Sequence, residues 1–139
     1  MSLDLKKLSI DPDGQKEDFD LLDPRTGDPL LDDEGNPVTL TLWGPDSTVV
    51  KTITSRHRKK FQNEAAKKGD MTSMFSLEYG MKLQHEKAVA SVAGWKNIGY
   101  EGKELKCTEE NVRMIFEQAP WIEEQVKMFI IDRANFMKG

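Results

Sequence analysis

Apolar and polar residues alternate at period two from Val38 to Trp43, and this Val-Thr-Leu-Thr-Leu-Trp run is the clearest strand signal in the chain. Val38, Leu40 and Leu42 share one face, and Thr39, Thr41 and Trp43 share the other. A shorter alternation, Asp18-Phe19-Asp20-Leu21-Leu22, puts Phe19 and Leu21 on one side. Two polar stretches separate these runs, Asp23-Pro24-Arg25-Thr26-Gly27 and Asp32-Asp33-Glu34-Gly35-Asn36-Pro37. Both carry turn chemistry, with proline presetting φ and glycine accepting a positive one. Short connections suit antiparallel pairing, so a small N-terminal β meander or hairpin is expected.

From residue 46 onward the period becomes helical. Gly44-Pro45-Asp46-Ser47 closes the strand, and Asp46 or Ser47 can cap a helix whose stripe is Val50, Ile53, His57, Phe61 and Ala65. Lys67-Lys68-Gly69 supplies the cations and glycine that suit its C-terminus. Asp70 is placed to cap a second helix, with Met74, Leu77, Met81, Ala88, Val92 and Trp95 near one stripe and an end near Ala93. Gly80 within it weakens the helix by roughly 1 kcal/mol relative to alanine and suggests a close helix contact. Gly94 ends that helix and Trp95 packs back on it. Gly99, Gly102 and the charges from Tyr100 to Lys106 form a loop or small hairpin. Thr108 caps a third helix, with Glu109 and Glu110 in its first turn and Val112, Ile115, Phe116 and Ala119 as its buried stripe. Pro120 breaks that helix and suits the first turn of a last one, whose stripe is Ile122, Val126, Phe129, Ile130 and Phe136. The fold class is therefore α+β, with the meander packed on a bundle of about four α-helices. Residues 1–17 have few anchoring side chains beside the turn Asp11-Pro12-Asp13-Gly14, so they form a flexible leader to a single domain over 18–139.

Composition narrows the setting. The chain has 139 residues, a size that fits one domain and needs no disulfide or metal to stay folded. Its net charge is −4 and its pI near 5.3, which argue against a general binder of nucleic acid or anionic membranes. Cys107 is the single cysteine and has no partner for an intramolecular disulfide, which favours a reducing cytosol. No apolar run approaches the ~20 residues that span a bilayer, and no apolar signal core follows the first residues.

The candidate chemistry is sparse. Arg56-His57-Arg58-Lys59-Lys60 fans around a helix, with His57 on the apolar side, and reads as a solvated face or one that pairs with acids elsewhere. His57 and His85 sit in no ligand pattern, and one cysteine cannot complete a zinc site. The acidic turns lack the alternating ligands and closing carboxylate of a calcium loop. Cys107 has Lys103 and Lys106 nearby but no adjacent histidine, so a structural role is expected. No carboxylate pair stands at a fixed catalytic spacing, and no glycine loop is built to cradle phosphate. Cofactors and metals are expected to be none, and so is enzymatic activity. Met71, Met74, Phe75, Met81, Met114, Met128 and Met137 are many for a short chain, and methionine is over-used on surfaces that accept apolar helices. Trp121, Gln125, Met128 and Asp132 make a face of the last helix distinct from that of Ile122, Val126 and Ile130. This helix is thus apolar on more than one side, either deeply buried or open to a partner.

Val38-Thr39-Leu40-Thr41-Leu42-Trp43-Gly44-Pro45-Asp46-Ser47 before a basic helix is similar to the front half of phage virion-assembly proteins. Val92-Ala93-Gly94-Trp95-Lys96-Asn97-Ile98 and Thr108-Glu109-Glu110-Asn111-Val112 resemble the middle of the tail assembly chaperones of long-tailed bacteriophages. Pro120-Trp121-Ile122-Glu123-Glu124-Gln125-Val126 and Asp132-Arg133-Ala134-Asn135-Phe136 resemble their end. The resemblance implies a non-enzymatic protein of the host bacterial cytoplasm that binds and solubilises the long helical tape measure protein. It further implies a frameshifted longer product that recruits the tail tube protein, with Phe136-Met137-Lys138-Gly139 suiting the unshifted form. No nucleic-acid or membrane partner is expected, and a homo-oligomer is left open. Trp95, Trp121, Met128 and Phe129, on the second and last helices, are the expected partner-binding anchors. The alternative is a structural virion component, such as a tail-tube or head–tail joining subunit.

Overall fold

The computed structural model describes residues 2–69 and 76–137, and it is an α+β fold. Strand β1 (Lys16–Asp20) and strand β2 (Thr39–Trp43) pair antiparallel, with Phe19 opposite Leu40. Helix α1 (Thr48–Lys68) follows, then α2 (Leu77–Ser91), β3 (Val92–Lys96), the short hairpin of β4 (Gly99–Tyr100) and β5 (Lys103–Glu104), α3 (Glu109–Gln118) and α4 (Pro120–Ile131). Single turns of 3-10 helix, Leu5–Leu8 and Arg133–Phe136, lie near the two ends.

The sheet is antiparallel in the order β1-β2-β3. Its third strand corrects the expectation that the second helix runs to about Ala93. Helix α2 stops at Ser91, and Val92 to Lys96 extend along β2, with Trp95 opposite Leu40. Thr41 faces Gly94 and Leu42 faces Val92, so Ala93 is the extra residue of a β-bulge. The bulge lets the chain leave the helix and join the ladder within one residue. The expected wholly N-terminal meander is therefore two local strands completed by a distant one.

The loop between β1 and β2 continues the ladder in miniature. The amide of Leu21 donates to Val38, that of Leu30 to Leu21, and that of Val38 to Leu30. Bridges link Leu22 to Pro29 and Leu31 to Pro37, and Gly27 and Gly35 turn at positive φ, as the turn residues require. The core lies between the sheet and the helices. Leu21, Val38, Leu40 and Leu42 meet Ala88 and Val89 of α2, Val112, Ile115 and Phe116 of α3, and Ile122, Val126 and Ile130 of α4. Phe136 joins this core from the last 3-10 turn rather than from α4, which ends at Ile131.

Caps follow the sequence closely. Ser47, not Asp46, caps α1 by accepting from the Val50 amide at 3.3 Å. Asp46 instead takes a two-pronged contact from Arg133, at 2.6 and 3.0 Å, which fastens the chain end to the start of α1. Thr108 caps α3 and Pro120 opens α4, as read from the sequence. Ser76 caps α2; the expected cap at Asp70 and the residues Met71, Met74 and Phe75 lie outside the described residues.

The segment expected as a leader is tied down at its C-terminal end. Thr48 donates through its amide to Pro12 and through its hydroxyl to Asp13, and the Gly44 amide donates to the Gln15 carbonyl. Gln15 is buried, and its Oε1 accepts from the Asp46 amide at 3.1 Å. A Cβ on Gly44 would stand 2.0 Å from that oxygen and 2.5 Å from Gln15 Cδ. Gly44→Ala is accordingly expected to expel Gln15 and strip the Asp46 amide of its partner, costing about 1–3 kcal/mol in urea unfolding. An unchanged midpoint would mean that Gln15 does not hold this turn.

Candidate functional site

Helix α2 packs against α1 at one end and enters the core at the other. Tyr79 stacks near Phe61 and His57 of α1, with ring centres 4.6 and 5.2 Å away, while Ala88, Val89 and Ser91 are buried. That orientation leaves Leu77 and Met81 on the opposite side of the first turns, 80% and 63% exposed. The sequence placed both near one apolar stripe with Ala88. Ala88 is covered by the core and these two are not, because α1 approaches α2 through Tyr79.

Leu77 and Met81 border an open groove of about 550 Å³ whose other wall is Glu123 and Lys127 of α4. Gly80 lies in its wall and has nothing within 4 Å of where a Cβ would stand. Gly80 thus opens the groove instead of marking the close helix contact expected from the sequence. Ile131, one turn beyond Lys127 on α4, is 68% exposed. The groove floor is held by His85, whose Nδ1 contacts the Glu123 carboxylate, and Lys127 reaches the same carboxylate at 3.5 Å. Polar groups thus surround the two exposed apolar side chains of this groove.

The four expected anchors do not form one patch. Met128 is 73% exposed, on the side of α4 away from the groove walls. Phe129 turns inward, 4.8 Å from the Phe19 ring centre and 5.4 Å from that of Phe136. Trp95 is half-buried on β3, where its Nε1–H donates to the Leu105 carbonyl at 2.7 Å. Trp121 is half-buried against the core, so its truncation removes packing from the fold as well as surface. Gln125, on the same helix face as Trp121 and Met128, accepts from the Leu22 amide and donates to the Leu22 carbonyl, tying α4 to the sheet margin. On this second face of α4, Trp121 and Gln125 are engaged within the fold while Met128 is exposed. The sequence signal for the groove residues was the Leu77–Met81 pair at i, i+4, which reads the same whether covered or free.

Two arginine–carboxylate pairs outside the groove tie elements of the fold together. Arg113 of α3 grips Glu86 of α2 at 3.2 and 2.6 Å and lies 3.6 Å from Glu109. The hydrogen bonds from Arg113 hold the Glu86 carboxyl below its ordinary range, and those from Arg133 do the same for Asp46. A carboxyl depressed in the folded state adds stability above its unfolded pKa and loses it as pH falls through the folded one. The parent should lose stability below the ordinary carboxylate range, near pH 4, more steeply than an Arg113→Ala, Arg133→Ala double variant. Parallel acid-unfolding curves would contradict this. His57 lies at the α1–α2 contact with its Nε2 buried and without a described partner, and Cys107 is partly buried, which pushes its thiol pKa up. No three His, Cys, Asp or Glu side chains among the described residues stand together as metal ligands. No helix among the described residues is long and apolar enough to cross a membrane.

No family model, curated protein or solved structure matches this chain.

Proposed function

We propose that the protein is a tail assembly chaperone of a long-tailed bacteriophage, which holds the amphipathic helices of the tape measure protein in the groove between α2 and α4. The observation that carries the reading is the exposure of Leu77 and Met81 around the open notch at Gly80, beside the α4 wall. The sequence blocks around Val92–Ile98 and Pro120–Val126 give the client its identity by resemblance. A long helical client aggregates unless its apolar stripe is covered, and a shallow groove covers a short length of it. Several copies therefore coat one tape, each with modest affinity, and the array gains strength from multivalency. Weak individual contacts also let tube subunits displace the copies one by one. A frameshifted longer product would bring the tail tube protein to the same array.

Co-expression with the tape measure protein tests this. The client should move from the insoluble to the soluble fraction and co-purify with the chain. A client that stays insoluble with the folded chain present would refute the proposal, as would recovery of the chain in stoichiometric rings of purified virions.

A further inference from the structure

The charge of this chain is segregated along the sequence and across the surface. Helix α1 carries seven lysines and arginines and a single glutamate, Glu64. Residues 17–46 carry nine aspartates and glutamates and a single arginine, Arg25. Had the two regions met within the fold they would neutralise each other, but α1 packs on α2, and Arg56, Arg58, Lys59 and Lys60 form no ion pair with a described residue.

The outer side of α1 is a continuous polar stripe. Thr52, Ser55, Arg56, Arg58, Lys59 and Gln62 line an open depression of about 410 Å³ that contains no carboxylate. From Thr52 to Gln62 this face runs about 15 Å along the helix. Elsewhere, Asp32, Asp33 and Glu34 of the turn before β2 and Glu104 of β5 line a second open depression, of about 330 Å³, in which no cation takes part. The chain therefore carries a cationic surface and an anionic one on different elements, and the lining of each holds no opposite charge among the described residues.

We propose that the outer face of α1 docks into the Asp32–Glu104 depression of a second copy of this chain. A second copy is favoured over nucleic acid because it brings both an acidic depression for α1 and a cationic face for the Asp32–Glu104 depression, whereas a polyanion matches only one of the two. The two patches differ, so the contact is heterologous and leaves a free patch at each end for further copies. Exposed ion pairs are individually weak and screened, so the association is modest and salt-labile. It does not depend on the client-binding reading, since neither patch includes the α2–α4 groove.

Sedimentation velocity across a concentration series, at about 0.05 M and about 1 M salt, tests it. The parent should gain mass with concentration at low salt and return to monomer at high salt. Arg56→Glu with Lys59→Glu should stay monomeric at low salt, as should Asp33→Lys with Glu34→Lys. Both sites are exposed, so folding is checked by unchanged circular dichroism. Mixed together, these two variants should associate with each other, and the association constant should fall roughly tenfold or more at the higher salt. A parent that is monomeric at low salt, or reversed variants that self-associate like the parent, would overturn the proposal. So would salt-steep binding of a short DNA duplex to α1 in place of self-association.

Discussion

Replacing Leu42 by alanine is expected to lower the unfolding free energy by about 2–5 kcal/mol, the largest single-residue effect predicted for the fold. Leu42 is fully buried on the middle strand, β2, on the face that meets the helices. Truncation removes apolar surface that the helices cover and leaves a cavity between layers that cannot collapse, because β1 and β3 fix β2 on both sides. Leu42→Met, of similar volume, should cost under about 1.5 kcal/mol. Urea unfolding of the two variants separates volume loss from a general sensitivity of β2. Equal, small shifts would mean that the sheet–helix interface is not the centre of stability.

The second large effect is on the client. Leu77→Glu with Met81→Glu places two carboxylates in the groove where an apolar stripe would seat. Both side chains are mostly exposed, so stability should move by no more than about 0.5 kcal/mol. If the groove holds the proposed client, solubilisation of the tape measure protein should be lost, because covering charged carboxylates with an apolar stripe is strongly unfavourable. Trp121→Ala, by contrast, should lower stability as well, since Trp121 packs against the core. Full retention of client solubilisation by the double variant, with its fold intact, would remove the α2–α4 groove from the account.

The contrast between these residues reflects what a one-dimensional pattern can carry. Helices α3 and α4 were readable because their boundaries are local chemistry: Thr108 accepts from the Asn111 amide, and Pro120 has no amide to lose at a helix start. Strand β2 was readable because its alternation is unbroken and its inward face is buried throughout. Strand β3 was hidden because Val92 and Trp95 extend the spacing of the helix before them, and its pairing with β2 spans about fifty intervening residues. A non-local ladder and a bulge at Ala93 overrode that periodicity. The groove was half-legible. Leu77 and Met81 stood out as apolar, but only the direction from which α1 approaches, through Tyr79, decides that they face outward. The anchors Trp95 and Phe129 were drawn by residue type alone. Each has its interaction inside the fold, Trp95 with Leu105 and Phe129 with Phe19 and Phe136.

Whether the α2–α4 groove receives an apolar helix is read most directly by methyl NMR of the methionines. A purified helical fragment of the tape measure protein would be titrated into the chain labelled at its methionine methyl groups. The Met81 signal should shift or broaden with saturation, while Met114, packed against the core, stays in place. Binding of the fragment with Met81 unmoved would rule out the α2–α4 groove as its seat.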